Sequence, residues 1–120
     1  MKAMIFTALP VALLAASPAA AQFGQVNDPA PGYSSLMSAD YASAEREIRS
    51  ANVSKYDPAR TMNLGIALAK QGRKDAAATQ FNRVLLEENV EMIVADGQTV
   101  MSHDLAHRAL AALENGPLSR

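Results

Sequence analysis

Two histidines form the arrangement in this chain that most resembles an active site, His103-Asp104-Leu105-Ala106-His107. On a helix this spacing puts both rings on one face, and zinc proteases pair such histidines with a glutamate beside the first one. Here Asp104 takes that place with a shorter side chain, and no third ligand follows at a known spacing. The pattern predicts surface histidines on a terminal helix. A small metal-binding or hydrolytic protein that uses His103 and His107 is the alternative.

Composition argues against several other kinds of chemistry. The chain has no cysteine, which excludes disulfides, thiolate metal sites and a cysteine nucleophile. Its 6 glycines are too scattered to form a phosphate-binding loop. The formal net charge of −1 over 120 residues gives no excess of positive potential for a nucleic acid. We therefore expect no enzyme activity, no cofactor and no nucleic-acid partner.

Residues 1–21 are predicted to be a signal peptide. A basic residue follows the first methionine, residues 3–16 are almost wholly apolar, and Ala19 and Ala21 are the small residues that a signal peptidase reads. The apolar run is shorter than the about 20 residues of a spanning helix, and Pro10 interrupts it. Cleavage following Ala21 is predicted to leave a periplasmic or secreted protein without stable membrane insertion.

The remaining chain divides into three segments. Residues 22–38 are rich in Pro, Gly and Ser and show no helical period, so they are predicted to form a flexible leader. Residues 39–114 carry the helical patterns and are predicted to form the domain. Residues 115–120 begin with Asn-Gly-Pro, which ends a helix, and are predicted to form a tail.

A first helix is predicted after Ser38, because apolar residues then recur at intervals of three and four and share one helical face. Asp57-Pro58 is a strong start signal for a second helix. Gly72 is expected to close that helix in the left-handed conformation. A third helix is predicted at about residues 74–88. The short link between the second and third helices predicts an antiparallel helical hairpin.

Three signals in this hairpin stand at a characteristic spacing: Leu64-Gly65, then Gly72, then Ala77 and Phe81 separated by three residues. In these residues the hairpin resembles one divergent tetratricopeptide repeat (TPR) at about residues 58–91. They match the Leu-Gly pair of that family, its glycine between the helices and its Ala-x3-Phe. Gly65 and Ala77 are expected to be small because the two helices cross closely there.

The resemblance extends weakly toward the N-terminus. The apolar pattern of residues 44–51 returns 33 residues later in residues 77–84, so the first helix looks like the second helix of an earlier copy. Thr61, Leu68 and Asn89 stand where the family has Trp, Tyr and Pro. The predicted fold class is therefore all-α, a TPR-like antiparallel helical hairpin with one flanking helix on each side.

Residues 90–101 permit two interpretations. They are rich in β-branched residues, and Asp96-Gly97 between apolar runs predicts a short β-hairpin with a two-residue turn that pairs Val94 with Thr99. Alternatively, the third helix continues to about Ala95 and Gly97 ends it. In either case Ser102 is expected to cap a last helix over residues 103–113.

A candidate partner-binding surface lies on the second helix, at Met62, Asn63, Ile66 and Lys70. In the family that the hairpin resembles, the first helix of each repeat lines the side that holds an extended peptide or a partner helix. The competing interpretation is that Met62 and Ile66 pack against Ile48 or against a second copy of the chain, because small domains bury most of their large apolar groups.

The sequence thus predicts an exported TPR-like protein-protein interaction module of the bacterial envelope that acts by binding and not by catalysis. Its expected partner is a protein or peptide of the cell envelope, or a second copy in a homodimer. An envelope protein with a purely structural role and no defined ligand is a third interpretation.

Overall fold

The computed structural model describes residues 30–118 of the chain. The predicted signal peptide, its cleavage position and residues 22–29 lie outside this part. Five helices and two strands follow in the order α1 (Tyr33–Met37), α2 (Tyr41–Ser50), α3 (Pro58–Lys70), α4 (Lys74–Leu86), β1 (Glu91–Ile93), β2 (Thr99–Met101) and α5 (Ser102–Asn115). The mostly helical class is confirmed, with a small two-stranded sheet added. No helix of residues 30–118 has both the length and the apolar character to cross a bilayer.

Helix α3 begins and ends where its sequence signals predict. The Asp57 carboxylate accepts the backbone N–H of Arg60 at 2.9 Å, and Pro58 occupies the first turn, where a missing N–H breaks no hydrogen bond. At the other end Gly72 takes a φ of 85°, and the N–H of Arg73 donates to the Leu68 carbonyl at 3.0 Å. Only three residues separate α3 from α4, so α4 turns back along α3.

The two helices are closest at Gly65. A Cβ atom built on Gly65 would lie 2.4 Å from Cε1 of Phe81, well inside van der Waals contact. Phe81 is fully buried, so its ring fills the space that a larger residue at position 65 would need. The small residue predicted at this crossing is therefore explained by the aromatic ring of the facing helix.

Helix α3 is the centre of the fold. Its residues from Thr61 to Ala69 are all buried, because α2, α4, α5 and α1 contact it. Helix α2 contributes Ala44 and Ile48, and α5 packs mainly on α4. Twenty apolar residues form one core: Ala30, Leu36, Ala44, Ile48, Ala59, Met62, Leu64, Ile66, Ala67, Leu68, Ala69, Ala77, Phe81, Val84, Met92, Leu105, Ala106, Ala109, Leu113 and Leu118.

Both ends of the described chain belong to this core, although residues 30–38 lie in the predicted leader and Leu118 in the predicted tail. Within residues 30–38, α1 buries Leu36, and a Cβ on Gly32 would lie 2.7 Å from the Ile48 side chain. Gly32 has a φ of 80°, so a larger residue would be strained there and would also collide with α2. Leu118 is 5% exposed and packs into the same core. These contacts depend on tertiary packing and leave no periodic pattern in the sequence.

The β-hairpin is confirmed, but the predicted register is wrong by one residue. Ile93 faces Thr99, so Val94 pairs with Gln98 and the loop has three residues instead of two. Gly97 takes a φ of 89° at the end of this loop, which is where a three-residue hairpin needs a left-handed residue. A one-residue change of register changes which side chains of the two strands share a face. In the observed register Met92 pairs with Val100 and is fully buried.

Ser102 does not cap α5 as predicted. It is the first residue of the helix and is fully buried, and its hydroxyl accepts the backbone N–H of Val90 at 2.9 Å. The capping group comes from outside the helix, since Oδ1 of Asn89 accepts the N–H of His103 at 2.9 Å. Asn89 therefore ties the end of α4 to the start of α5.

Candidate functional site

The predicted partner-binding surface is mostly inside the fold. Met62 is 1% exposed, Asn63 is fully buried and Ile66 is 6% exposed. The amide of Asn63 donates to the Pro31 carbonyl at 3.1 Å, so the chain's own N-terminal segment covers this side of α3. Lys70 alone of the four is exposed, and its ammonium lies 3.4 Å from the Pro117 carbonyl. The expectation of an open groove here is corrected, and the core interpretation of Met62 and Ile66 describes the structure.

The histidine pair is divided between two environments. Nε2 of His103 lies 2.7 Å from the Glu87 carbonyl oxygen, which gives this ring a structural partner at the end of α4. His107 is exposed one turn later. Among residues 30–118, no three His, Cys, Asp or Glu side chains come together in a way that could hold a metal ion.

A different group of residues is exposed where α2 ends, α3 begins and α4 ends. Tyr56 is 56% exposed in the loop before α3, Val53 in the same loop is 39% exposed, and Leu86 at the end of α4 is 82% exposed. Two cations approach the ring of Tyr56, since Lys55 Nζ and Arg83 Cζ are each 5.9 Å from its centroid. We call this group, together with Arg60 of the first turn of α3, the Tyr56 surface: Val53, Lys55, Tyr56, Arg60, Arg83 and Leu86.

The loop that presents Tyr56 is held by hydrogen bonds to α3. The Thr61 hydroxyl donates to the backbone carbonyl of Asp57 at 2.9 Å and lies 3.2 Å from that of Lys55. Ser54 accepts the N–H of Tyr56 at 3.0 Å through its hydroxyl and that of Asp57 at 3.0 Å through its carbonyl. Because Thr61 is itself buried, these bonds fix the loop on the core. The exposed tyrosine is therefore presented by an ordered backbone.

Positive charge is concentrated at this surface, and none of its cations forms an ion pair with another of residues 30–118. Partial burial of the Arg60 guanidinium lowers its pKa, and the charges of Arg83 and Arg49 lower that pKa further, with Asp57 opposing them. Nε of Arg60 is buried and has no hydrogen-bond partner among residues 30–118. The ion pairs among residues 30–118 join Glu45 to Arg49 and to Arg73. Within these residues Lys55, Arg60 and Arg83 therefore have no ion pair.

Asp57 is the carboxylate whose charge opposes those of the neighbouring arginines at Arg60. Burial raises the pKa of Asp57, while the backbone N–H groups of Arg60 and Ala59 hydrogen-bond the carboxylate and lower that pKa. This carboxylate caps the first turn of α3 and is fixed by that geometry. Glu87 stands four residues after Arg83, but α4 has already ended and its backbone is extended, with ψ at 176°. Helical i,i+4 pairing between the two is therefore lost.

Sequence reasoning missed this surface. The sequence predicts only the end of the first helix at residues 52–56 and assigns no role to Arg83. The sequence contains one indication of this surface. The mostly polar loop before α3 also holds two large apolar residues, Val53 and Tyr56, on either side of Lys55 and its neighbour Ser54. The approach of Arg60 and Arg83 follows from the antiparallel pairing of α3 and α4, which brings the start of one helix to the end of the other.

Comparison of the chain with protein-family models, with curated proteins and with solved structures finds no match. The function must therefore be inferred from the residues themselves.

Proposed function

We propose that this protein is an exported, TPR-like interaction module of the bacterial envelope, which binds a protein partner through the Tyr56 surface. Export is supported by the sequence of residues 1–21, with its apolar stretch and the small residues before the cleavage position. The TPR-like assignment is supported by Leu64-Gly65, Gly72 and Phe81, which stand at the family's spacing in a helical hairpin.

One observation carries the binding function. The fold buries twenty apolar residues in one core, yet it leaves Tyr56 more than half exposed on a loop that hydrogen bonds hold in place. An ordered aromatic side chain with cations near its ring, in a loop that also exposes Val53, is the kind of group that contributes most to protein interfaces, where Tyr and Arg are enriched. Because the loop is already ordered, binding of a partner would cost little conformational entropy in this loop.

Site-specific photo-cross-linking in living cells tests this function. A photoreactive phenylalanine analogue at position 56 is expected to give a discrete cross-linked product with one envelope protein. Position 111, an exposed alanine on α5, is the matched control and should give no such product. Equal products at both positions, or none at position 56, would contradict the proposal. The mass of the exported protein tests export separately, since cleavage after Ala21 predicts a chain that begins at Gln22.

A further inference from the structure

The charges of the Tyr56 surface indicate what kind of partner it binds. We propose that it accepts an acidic segment of the partner protein, with a carboxylate between Lys55, Arg60 and Arg83 and an apolar side chain against Tyr56 and Val53. This inference rests on the proposed function and adds the chemistry of the partner. It begins from three cations that have no ion pair among the residues described.

The cations of the Tyr56 surface have no ion-pair partner among residues 30–118. Arg60 is half-buried, it has no ion pair among residues 30–118, and like charges stand near it. A partly buried guanidinium is stabilised by a carboxylate, which matches its fork of donors. By contrast, Arg49 and Arg73 already share Glu45, so they need no external anion.

The near-zero net charge of the whole chain favours a short anionic ligand over a long one. The whole chain carries 12 acidic against 11 basic residues, so a long polyanion such as a nucleic acid would meet as much repulsion as attraction. A short acidic segment senses mainly the charges within a Debye length, about 8–10 Å at moderate salt. Three cations around one tyrosine fit such a local ligand. We therefore favour a peptide segment over a nucleic acid or a lipid surface.

The apolar groups of the Tyr56 surface are also exposed to solvent. The Tyr56 ring is 56% exposed while cations lie 5.9 Å from its centroid, so part of its surface stays open for contact. Val53 precedes it in the same loop and Leu86 follows Arg83 by one helical turn. An apolar side chain next to the carboxylate would remove this area from water, which gives binding that charge alone does not supply. The preferred segment therefore mixes Asp or Glu with large apolar residues.

Peptide titration followed by NMR tests the inference on the purified protein. The probe is a short synthetic peptide that alternates Glu and Leu, and its reference is the same peptide with Gln in place of Glu. We expect shift changes centred on Lys55, Tyr56 and Arg83, binding by the Glu peptide that weakens with added salt, and little binding by the Gln peptide. Equal binding of both peptides, or shifts centred elsewhere, would overturn the inference.

Variants make the test specific. Lys55→Gln and Arg83→Gln should each weaken the Glu peptide by about three- to tenfold, whereas Arg108→Gln, an exposed arginine on α5, should leave its affinity unchanged. Lys55 is exposed, so its variant keeps the test valid even where Arg83→Gln perturbs the fold. Anionic phospholipid vesicles that bind in place of the peptide would also overturn the inference. If position 56 cross-links to a partner but the Glu peptide does not bind, the proposed function stands and this inference fails.

Discussion

Gly65 shows how one missing side chain permits the close packing of two helices. A Cβ at this position would lie 2.4 Å from Cε1 of Phe81 and 2.8 Å from two other ring atoms. Gly65→Ala should raise helix propensity by about 1 kcal/mol, but the new methyl group would collide with the fully buried Phe81 ring, and protein interiors are closely packed. We expect a net loss of stability on the order of 1–3 kcal/mol, measured by urea denaturation.

A second substitution identifies the cause of that loss. Phe81→Leu is itself destabilising, but combined with Gly65→Ala it should cost less than the sum of the two single changes, because the contacting ring atoms are gone. An increase in stability for Gly65→Ala alone would show that the crossing tolerates a methyl group.

Glu45 is the residue through which pH acts on the contact between α2 and the helical hairpin. Partial burial raises its pKa, but hydrogen bonds from Arg49, Gln71 and Arg73 together bring that pKa below the ordinary 4.5. The folded chain therefore binds fewer protons at Glu45 than the unfolded chain does. The stability from this carboxylate is full above the unfolded pKa and is lost as the pH falls through the folded one.

Glu45→Gln tests this dependence. The variant should lose about 0.5–1 kcal/mol at pH 7, because both arginines that pair with Glu45 are about half exposed and such ion pairs contribute little each. The difference between wild type and variant should shrink at an acidic pH below the lowered folded pKa, where the wild-type carboxylate is protonated. Urea denaturation at the two pH values measures both numbers. Glu114→Gln, an exposed carboxylate without an ion pair in residues 30–118, is the control and should show no such trend.

Among the secondary-structure elements, the junction between α4 and α5 is held by a cap that belongs to neither helix. The Asn89 side chain accepts the N–H of His103 at 2.9 Å, and the buried Ser102 hydroxyl lies 3.4 Å from the same oxygen. Asn89→Ala removes the acceptor and should cost about 1 kcal/mol, as the loss of a helix cap does. Asn89→Asp keeps the acceptor and adds a negative charge near the helix N-terminus, so it should retain most of that stability. Thermal melts compare the two, and equal destabilisation by both would mean that the cap is not the important contact.

The elements also show which parts of the fold the sequence can predict. Helices α3 and α4 have local signals at Asp57-Pro58 and Gly72, and both start where those signals stand. Helix α1 has no such pattern, because its five residues are held by contacts of Leu36 and Gly32 with residues distant in sequence. The hairpin register depended on whether Ala95 joins the loop, which short-range preferences do not determine.

At the scale of the whole molecule, the chain covers its central helix with its own ends. Pro31 accepts the amide of Asn63, and Lys70 contacts the carbonyl of Pro117 at the other end of α3. The resemblance predicts a groove on α3. It does not predict that the chain's own segments cover this side of α3, because the sequence of those segments is typical of a leader and a tail. The Tyr56 surface could not be predicted either, since residues from one loop and two helices meet there only in three dimensions.

This arrangement gives a prediction that separates core from surface with one kind of substitution. Ile66 is 6% exposed and Leu86 is 82% exposed, so the same change to Asp places a charge in the core in one case and in water in the other. Truncation of a buried isoleucine alone costs about 2–5 kcal/mol, and a buried unpaired carboxylate adds to that cost. Against a stability near the low end of about 5–15 kcal/mol for so small a domain, Ile66→Asp should be largely unfolded.

Leu86→Asp should change the free energy of unfolding by less than about 0.5 kcal/mol, as exposed substitutions usually do. Circular dichroism and a thermal melt distinguish the two variants, since lost helicity is expected for Ile66→Asp alone. Full helicity and an unchanged melt for Ile66→Asp would return Ile66 to the outer face of α3, and the predicted groove of Met62, Asn63, Ile66 and Lys70 would again be the candidate surface. Unfolding of Ile66→Asp together with a folded Leu86→Asp that has lost its cross-linked partner would instead assign binding to the end of the hairpin at which Leu86 and Tyr56 are exposed.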